Sequence, residues 1–364
     1  MLAKTLIAAL LLWRAPLSAQ TSWKLSYFHD EDDSSFTIRD FQIASRDCGL
    51  AVGALSVRGK LKPHAVASND GGKTWRPVGI KDDPRALSFW NDKLAWMVGE
   101  DGLWRSADCG QTWERIFKQK SLVRARMVTA DLGYAVGAPK RVWQTRDGGK
   151  SWQKLLAADQ PAGNPERSIY SWIEFSPEGI GVIAGFHEPE RWDQLRRPAW
   201  VDPDRAQRQR QWPSLSLLLQ SNDGGKTWHS STSSIFGHIT RIRLGAGARG
   251  LALVEFPQSF EWPSEVYRLD LMGGKTERVF RETNRAVTDI ALLGGRAYLG
   301  AVEPPGNLRE SPIPGKVKML RLTDAGRWEE MEVDYRATAR RVTLAGGDGL
   351  VMAATDTGMI LRLQ

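Results

Sequence analysis

The chain has 364 residues, a net charge of +8, 41% apolar residues and 25% charged residues. These are the proportions of an ordinary globular protein, and the length suits one large β-architecture. No segment beyond the first twenty residues resembles a transmembrane helix, which excludes stable membrane insertion; the basic balance favours acidic partners.

Residues 1–19 read as a secretory signal peptide. Lys4 supplies the positive start, Thr5 to Trp13 an apolar core, and Ser18-Ala19 a small-residue cleavage site before Gln20. A run of about nine apolar residues is too short to span ~30 Å of hydrocarbon, so an uncleaved anchor is disfavoured. No Cys stands directly after the segment, which argues against a lipoprotein anchor. Removal of Lys4 and Arg14 with the leader takes the net charge from +8 to +6. The expectation is a periplasmic or secreted protein with residues 20–364 forming one domain. Export makes a nucleic-acid partner improbable. Cys48 and Cys109 then meet an oxidising compartment; sequence leaves their pairing open, and two unpaired thiols in surface turns is the preferred expectation.

Sixteen Trp against six Tyr is an excess that the internal repeats explain. The pattern [S/T]-x-D-x-G-x-[S/T]-W recurs at Ser68–Trp75, Ser106–Trp113, Thr145–Trp152 and Ser221–Trp228. Successive tryptophans lie 38, 39 and 76 residues apart, so the last interval holds one blade with a large insertion, about 186–214. Each copy is preceded by a short apolar strand: Leu50-Ala-Val-Gly53, Trp96-Met-Val-Gly99, Tyr134-Ala-Val-Gly137 and, more weakly, Ile183-Ala-Gly185. Four strands in about 40 residues make a propeller blade. In the repeated turn, Asp70, Asp108, Asp147 and Asp223 are expected to accept backbone N–H bonds, and Gly to supply positive φ. Trp75, Trp113, Trp152 and Trp228 are expected to cover the turn. These acids serve architecture on this reading, not catalysis or calcium binding.

Degenerate copies follow at Gly273–Thr276 and Thr323–Trp328, and the chain ends on three strands with none for a fourth. Trp23–Phe28 alternates as an outer strand should and is expected to complete the last blade. The fold expected is therefore all-β: a seven-bladed β-propeller whose ring is closed by an N-terminal strand.

Long connections between second and third strands are expected at Ala54–Ala65, Phe186–Ser214, Glu255–Glu265 and Val302–Lys316, all on one face. They carry Arg58, Lys60, Lys62 and His64; Arg191, Trp192, Arg196, Arg197, Trp200, Arg205, Arg208, Arg210 and Trp212; blade three adds Lys140 and Arg141 to the same face. Arg beside Trp suits recognition of carboxylates and extended peptide segments.

Tyr134-Ala-Val-Gly137 running into Thr145–Trp152 resembles the photosystem II assembly and stability factors, seven-bladed lumenal propellers with Asp-box repeats. The resemblance covers about Phe41 to Trp228. It implies a non-catalytic protein that binds a protein partner through an arginine patch, which maps most naturally onto the basic loops. A photosynthetic role does not follow from it. Asp-boxes also occur in sialidases; the nearest approach to their Arg-Ile-Pro segment is Ile38-Arg39-Asp40, which lacks the Pro. An exported glycosidase or glycan-binding propeller is thus the rival reading, and it expects a central acidic cluster facing an arginine group. No nucleophile elbow, phosphate loop or metal-ligand spacing is found. The expectation is no cofactor, no metal, a protein partner with an acidic or extended segment, and a monomer.

Overall fold

The structure, a computed structural model, describes residues 21–188, 213–256, 262–303 and 314–364. Among these residues the strands fall into seven groups of four. Five are separate antiparallel sheets, and a nine-stranded sheet contains the other two together with the two-residue strand Thr338–Ala339, which pairs with Gly315 and Lys316. The innermost strands, in chain order, are Ser34–Ser45, Pro84–Phe89, Leu122–Met127, Ser168–Phe175, His238–Leu244, Ala286–Leu293 and Val342–Gly347. Each pairs with the next strand of its own sheet and packs its other side against the neighbouring blade. Buried apolar side chains therefore lie between successive sheets. One cluster holds Phe41, Val66 and Trp75 of blade one with Met352 and Ile360 of blade seven.

The ring closes as expected. Ser22–Phe28 pairs antiparallel with Met359–Leu363, Trp23 opposite Leu363 and Phe28 opposite Met359. Its first two residues also pair in parallel with Glu332 and Val333 of blade six, which joins the last two blades into one sheet. Trp23 is fully buried among Val317, Met319, Met331 and Leu361. A strand with polar residues facing out and one large anchor facing in suits this outermost position.

Each Asp-box turn is tied to its own carboxylate. Asp147 accepts from the Ser151 backbone N–H at 2.9 Å, from the Ser151 hydroxyl at 2.6 Å and from the Thr145 hydroxyl at 2.8 Å. These bonds hold its pKa down to about 2. In the box of blade four, Tyr134 donates to the Gly225 carbonyl at 2.8 Å, and its ring meets Trp228 edge-on at 5.4 Å. The boxes sit beside the hairpins joining first and second strands: Gly71 N–H donates to Arg46 O and Gly148 N–H to Asp131 O. The second-to-third connections lie at the opposite ends of the strands, so the ring has a box face and a loop face.

Two expectations are corrected. Cys48 and Cys109 form a disulfide, with Cα atoms 5.8 Å apart. Cys48 opens a strand of blade one and Cys109 stands in the box of blade two at φ 57, where the other three boxes have Gly71, Gly148 and Gly224 at φ 71 to 74. Adjacency of blades brings them together across 61 residues of sequence. Ala54–Ala65 is not an irregular loop. Strands Cys48–Val57 and Lys60–Ser68 run through it, joined by a two-residue turn with φ 48 at Arg58 and φ 78 at Gly59. Blade one thus raises a three-stranded flap on the loop face.

Candidate functional site

Six of the seven innermost strands carry a register shift near their loop-face ends. The extra residues are Arg39, Arg85, Val123, Ser171, Thr240 and Thr288. A bulge of this kind bends the strand and re-aims its side chains. The residue that follows each bulge forms a second tier: Asp40, Ala86, Arg124, Trp172, Arg241 and Asp289. Two residues further on is a third tier: Gln42, Ser88, Arg126, Glu174, Arg243 and Ala291. Strand periodicity puts the second and third tiers on the same face of each strand.

The channel inside these tiers is rich in guanidinium. At its loop-face end, a cavity of about 350 Å³ is lined by Arg39, Arg85, Arg124, Arg241, Arg341 and Glu255, among others. Arg341 grips Glu255 with two bonds of 3.0 and 3.1 Å, and Arg39 pairs with Asp83. Burial pushes the Glu255 carboxyl up, but Arg341 overrides this and its pKa is lowered. Arg85 is exposed and has no carboxylate within reach among the described residues.

Deeper in, three guanidiniums surround one indole. Arg124, Arg241 and Arg243 lie over the Trp172 ring at 4.1, 4.8 and 4.9 Å. Trp172 itself is fixed by its Nε1–H, which donates to Ile242 O at 2.9 Å. Burial lowers the Arg124 pKa to about 10, with Asp40 opposing and Arg241 and Arg243 adding to the fall. The balancing acids are Asp40 at 3.7 Å from Arg124 and Asp289 at 3.4 Å from Arg241. Both acids also clamp neighbouring blades. Asp40 accepts from Phe41 N–H and from Leu87 N–H of blade two; Asp289 accepts from Ile290 N–H and from Leu344 N–H of blade seven.

Below Trp172 a second cavity of about 380 Å³ opens on the box face. There Arg126 meets Glu174 at 2.9 Å and Arg243 meets Glu174 at 3.5 Å. Trp172 and its guanidinium collar lie between the two chambers.

Sequence reasoning placed the basic residues elsewhere. Arg58, Lys60 and Lys62 are exposed on or beside the tip of the blade-one flap; Arg58 lies 3.7 Å from Asp33. His64 packs edge-on against Phe36 at 4.7 Å. Lys140 is buried, and its ammonium donates to Asp159 O at 3.2 Å and to Pro161 O. Arg141 starts a strand and is half-buried. Arg191, Trp192, Arg196, Arg197, Trp200, Arg205, Arg208, Arg210 and Trp212 lie outside the described residues, as does the leader. The arginines of the channel were missed. The signal that finds them is spacing by two, Arg124 with Arg126 and Arg241 with Arg243, inside strands that line the axis.

No protein-family model matches the chain. A stretch of 111 residues is 30% identical to vacuolar protein sorting/targeting protein 10 of Colletotrichum graminicola, covering 25% of this chain and 7% of that protein. A stretch of 135 residues is 30% identical to the photosystem II assembly lipoprotein Ycf48 of Synechococcus sp., covering 34% of this chain and 40% of that one. The chain therefore spans less than half the length of either relative in the matched region. Among solved structures, YCF48 bound to D1 peptide covers 93% of this chain and 99% of its own at TM-score 0.57 and 15% identity. YCF48 from Cyanidioschyzon merolae gives TM-score 0.57 over 94% of this chain and 98% of its own, at 16% identity. At such identities the structural likeness is one of fold, and the matched sequence adds to it. Repeat, ring and closure together make this chain a β-propeller whose fold is similar to that of YCF48 and whose sequence is similar to Ycf48 over 135 residues.

Proposed function

We propose that the chain is an exported, non-catalytic binding propeller that receives an extended, acidic segment of a partner protein at the loop-face mouth of its channel. The observation that carries this reading is the chamber of Arg39, Arg85, Arg124, Arg241 and Arg341, where Arg85 stands without a counter-ion among the described residues. Arginine is the side chain suited to forked recognition of carboxylates. Phe186 and Glu255 line the same chamber, and both sit where the long connections 186–214 and 255–265 begin. That YCF48, a propeller of similar fold, is found with D1 peptide supports a peptide ligand for this architecture.

Export rests on the leader at residues 1–19, and the Cys48–Cys109 bond supports an oxidising compartment. The rival glycosidase reading expects acids facing arginines in the channel, and acids are present. They are poorly suited to that chemistry. Glu255 is held ionised by Arg341, whereas a general acid needs a raised pKa. Asp40 and Asp289 spend both oxygens on backbone N–H groups. Glu174 lies in the other chamber, tied to Arg126.

The test is titration of a fluorescein-labelled peptide of alternating Glu and Ala, ending in a free carboxylate, at low and high salt. Binding should be saturable, weaken as salt rises, and fall at least tenfold in Arg85→Glu. Equal binding by Arg85→Glu, or no binding at low salt, would overturn the reading.

A further inference from the structure

Blade seven lacks a part that the other blades have. In blades one to six a turn joins the third strand to the fourth on the box face, and in blades one to four that turn is an Asp-box. In blade seven the third strand is Met359–Leu363 and the fourth is Ser22–Phe28, so no turn joins them. Ser22 and Gln364 exchange backbone hydrogen bonds of 3.0 Å instead. Beside this seam, between blades six and seven, lies a cavity of about 530 Å³. Leu293, Arg296, Tyr298, Asp348, Leu350 and Leu363 are among the residues that line it.

Two contacts recur where a box is present. The last residue of its Gly-Gly or Cys-Gly pair packs on the second strand of the blade before it in the ring: Gly72 on Met352, Gly110 on Leu50 and Gly225 on Tyr134. The first residue of the pair gives its N–H to the hairpin of its own blade: Gly71 to Arg46 O, Cys109 to Lys93 O and Gly148 to Asp131 O. Both receiving positions exist at the seam. Tyr134 lies three residues before Gly137, the partner of Leu122 ahead of the bulge; Tyr298 lies three before Ala301, the partner of Val287 ahead of the bulge. Tyr298 is thus the counterpart of Tyr134 in blade six. Asp348 opens the two-residue turn between Gly347 and Leu350, as Arg46 opens the one between Ser45 and Cys48. The Tyr134 hydroxyl donates to Gly225 O at 2.8 Å. The Tyr298 hydroxyl and the Asp348 carbonyl have no hydrogen-bond partner among the described residues, and both residues line the cavity.

We propose that this cavity is a binding site for a glycine-bearing tight turn of the Asp-box kind, presented by another polypeptide. The turn completes blade seven as a box completes blades one to four. A carbonyl of its glycine pair accepts from Tyr298, as Gly225 O accepts from Tyr134, and a turn N–H donates to Asp348 O. Leu293, Leu350 and Leu363 supply the apolar floor, and Arg296 and Asp348 offer charges opposite to the Asp and Lys of a box. A turn already held by its own carboxylate loses little freedom on docking. A second copy of this chain has no box to lend, because Gly72, Gly110, Gly149 and Gly225 are buried in their own blades. The site lies on the box face between two blades, away from the loop-face chamber, and does not rest on the peptide reading of that chamber.

The probe is the chain's own box as a free capped peptide, Ser-Asn-Asp-Gly-Gly-Lys-Thr-Trp, the sequence of Ser221–Trp228, titrated into the isotope-labelled full chain and followed by NMR. It should bind saturably and shift the amides of Gly349 and Leu350. A control peptide with alanine at both glycines should bind at least tenfold more weakly, since those residues take φ 74 and 84 in the folded box. Tyr298→Phe keeps the ring and removes only the hydroxyl; it should weaken binding about three- to tenfold, the loss of one neutral hydrogen bond. Arg85→Glu should leave the affinity unchanged. No binding, equal binding of the two peptides, or undiminished affinity in Tyr298→Phe would overturn the proposal. So would a loss of affinity in Arg85→Glu or shifts confined to the loop-face chamber.

Discussion

The glycine that ends each Ala-Val-Gly strand has a reason that its recurrence alone does not reveal. Gly53, Gly137 and Gly185 each lie opposite the residue that precedes an inner-strand bulge: Ile38, Leu122 and Tyr170. A Cβ added at these glycines would run into the carbonyl oxygens of Thr37, Ser121 and Ile169. The glycine is therefore what lets the inner strand bulge, and the bulge is what turns Arg39, Val123 and Ser171 to the axis. Gly53→Ala should destabilise the chain by about 1–3 kcal/mol, as overpacking against rigid backbone does. Gly79→Ala, where nothing lies within 4 Å, should change stability little. Paired urea titrations of the two variants check this; equal midpoints would separate the glycine from the bulge. The repeat signature was legible because it is local. The channel arginines were not, because a single strand does not say which of its sides meets six others at an axis. Only the alternation Arg124-x-Arg126, repeated as Arg241-x-Arg243, hinted at it.

At the scale of elements, blades one and two are the pair joined by a covalent bond. Cys109 occupies the box position that glycine fills elsewhere, so the box gives up its most permissive residue to gain the cross-link. A loop of 61 residues is closed by it, worth about 4 kcal/mol on the chain-entropy account. Reduction, or the Cys48→Ser/Cys109→Gly pair, should lower the unfolding free energy by up to that amount. The double variant regains a glycine in the box and so should lose less than Cys48→Ser alone. Thermal melts with and without dithiothreitol measure both. The pairing escaped sequence reasoning because proximity here is between blades. So did the blade-one flap: Arg58-Gly59 is a two-residue hairpin turn, hidden by reading all of Ala54–Ala65 as a connection between strands.

For the whole molecule, closure is the decisive contact. Trp23 is fully buried between the last two blades, and its strand satisfies edges of both. Trp23→Ala should cost about 3–5 kcal/mol, more than loss of a box tryptophan such as Trp113 in mid-ring, since it also loosens the seam. Calorimetry should show the melting of the variant moved down and broadened; an unshifted, equally sharp transition would mean that the ring holds without its clasp. This closure was legible in sequence because the strand count came out one short at one end and one over at the other. The same seam dictates an order of events. The strand at Ser22–Phe28 emerges first from the ribosome, yet its docking partner at Met359–Leu363 emerges last. Until translation has passed the last blade the chain has nothing to lock its first strand against, so the seam is the step at which the ring can first become cooperative.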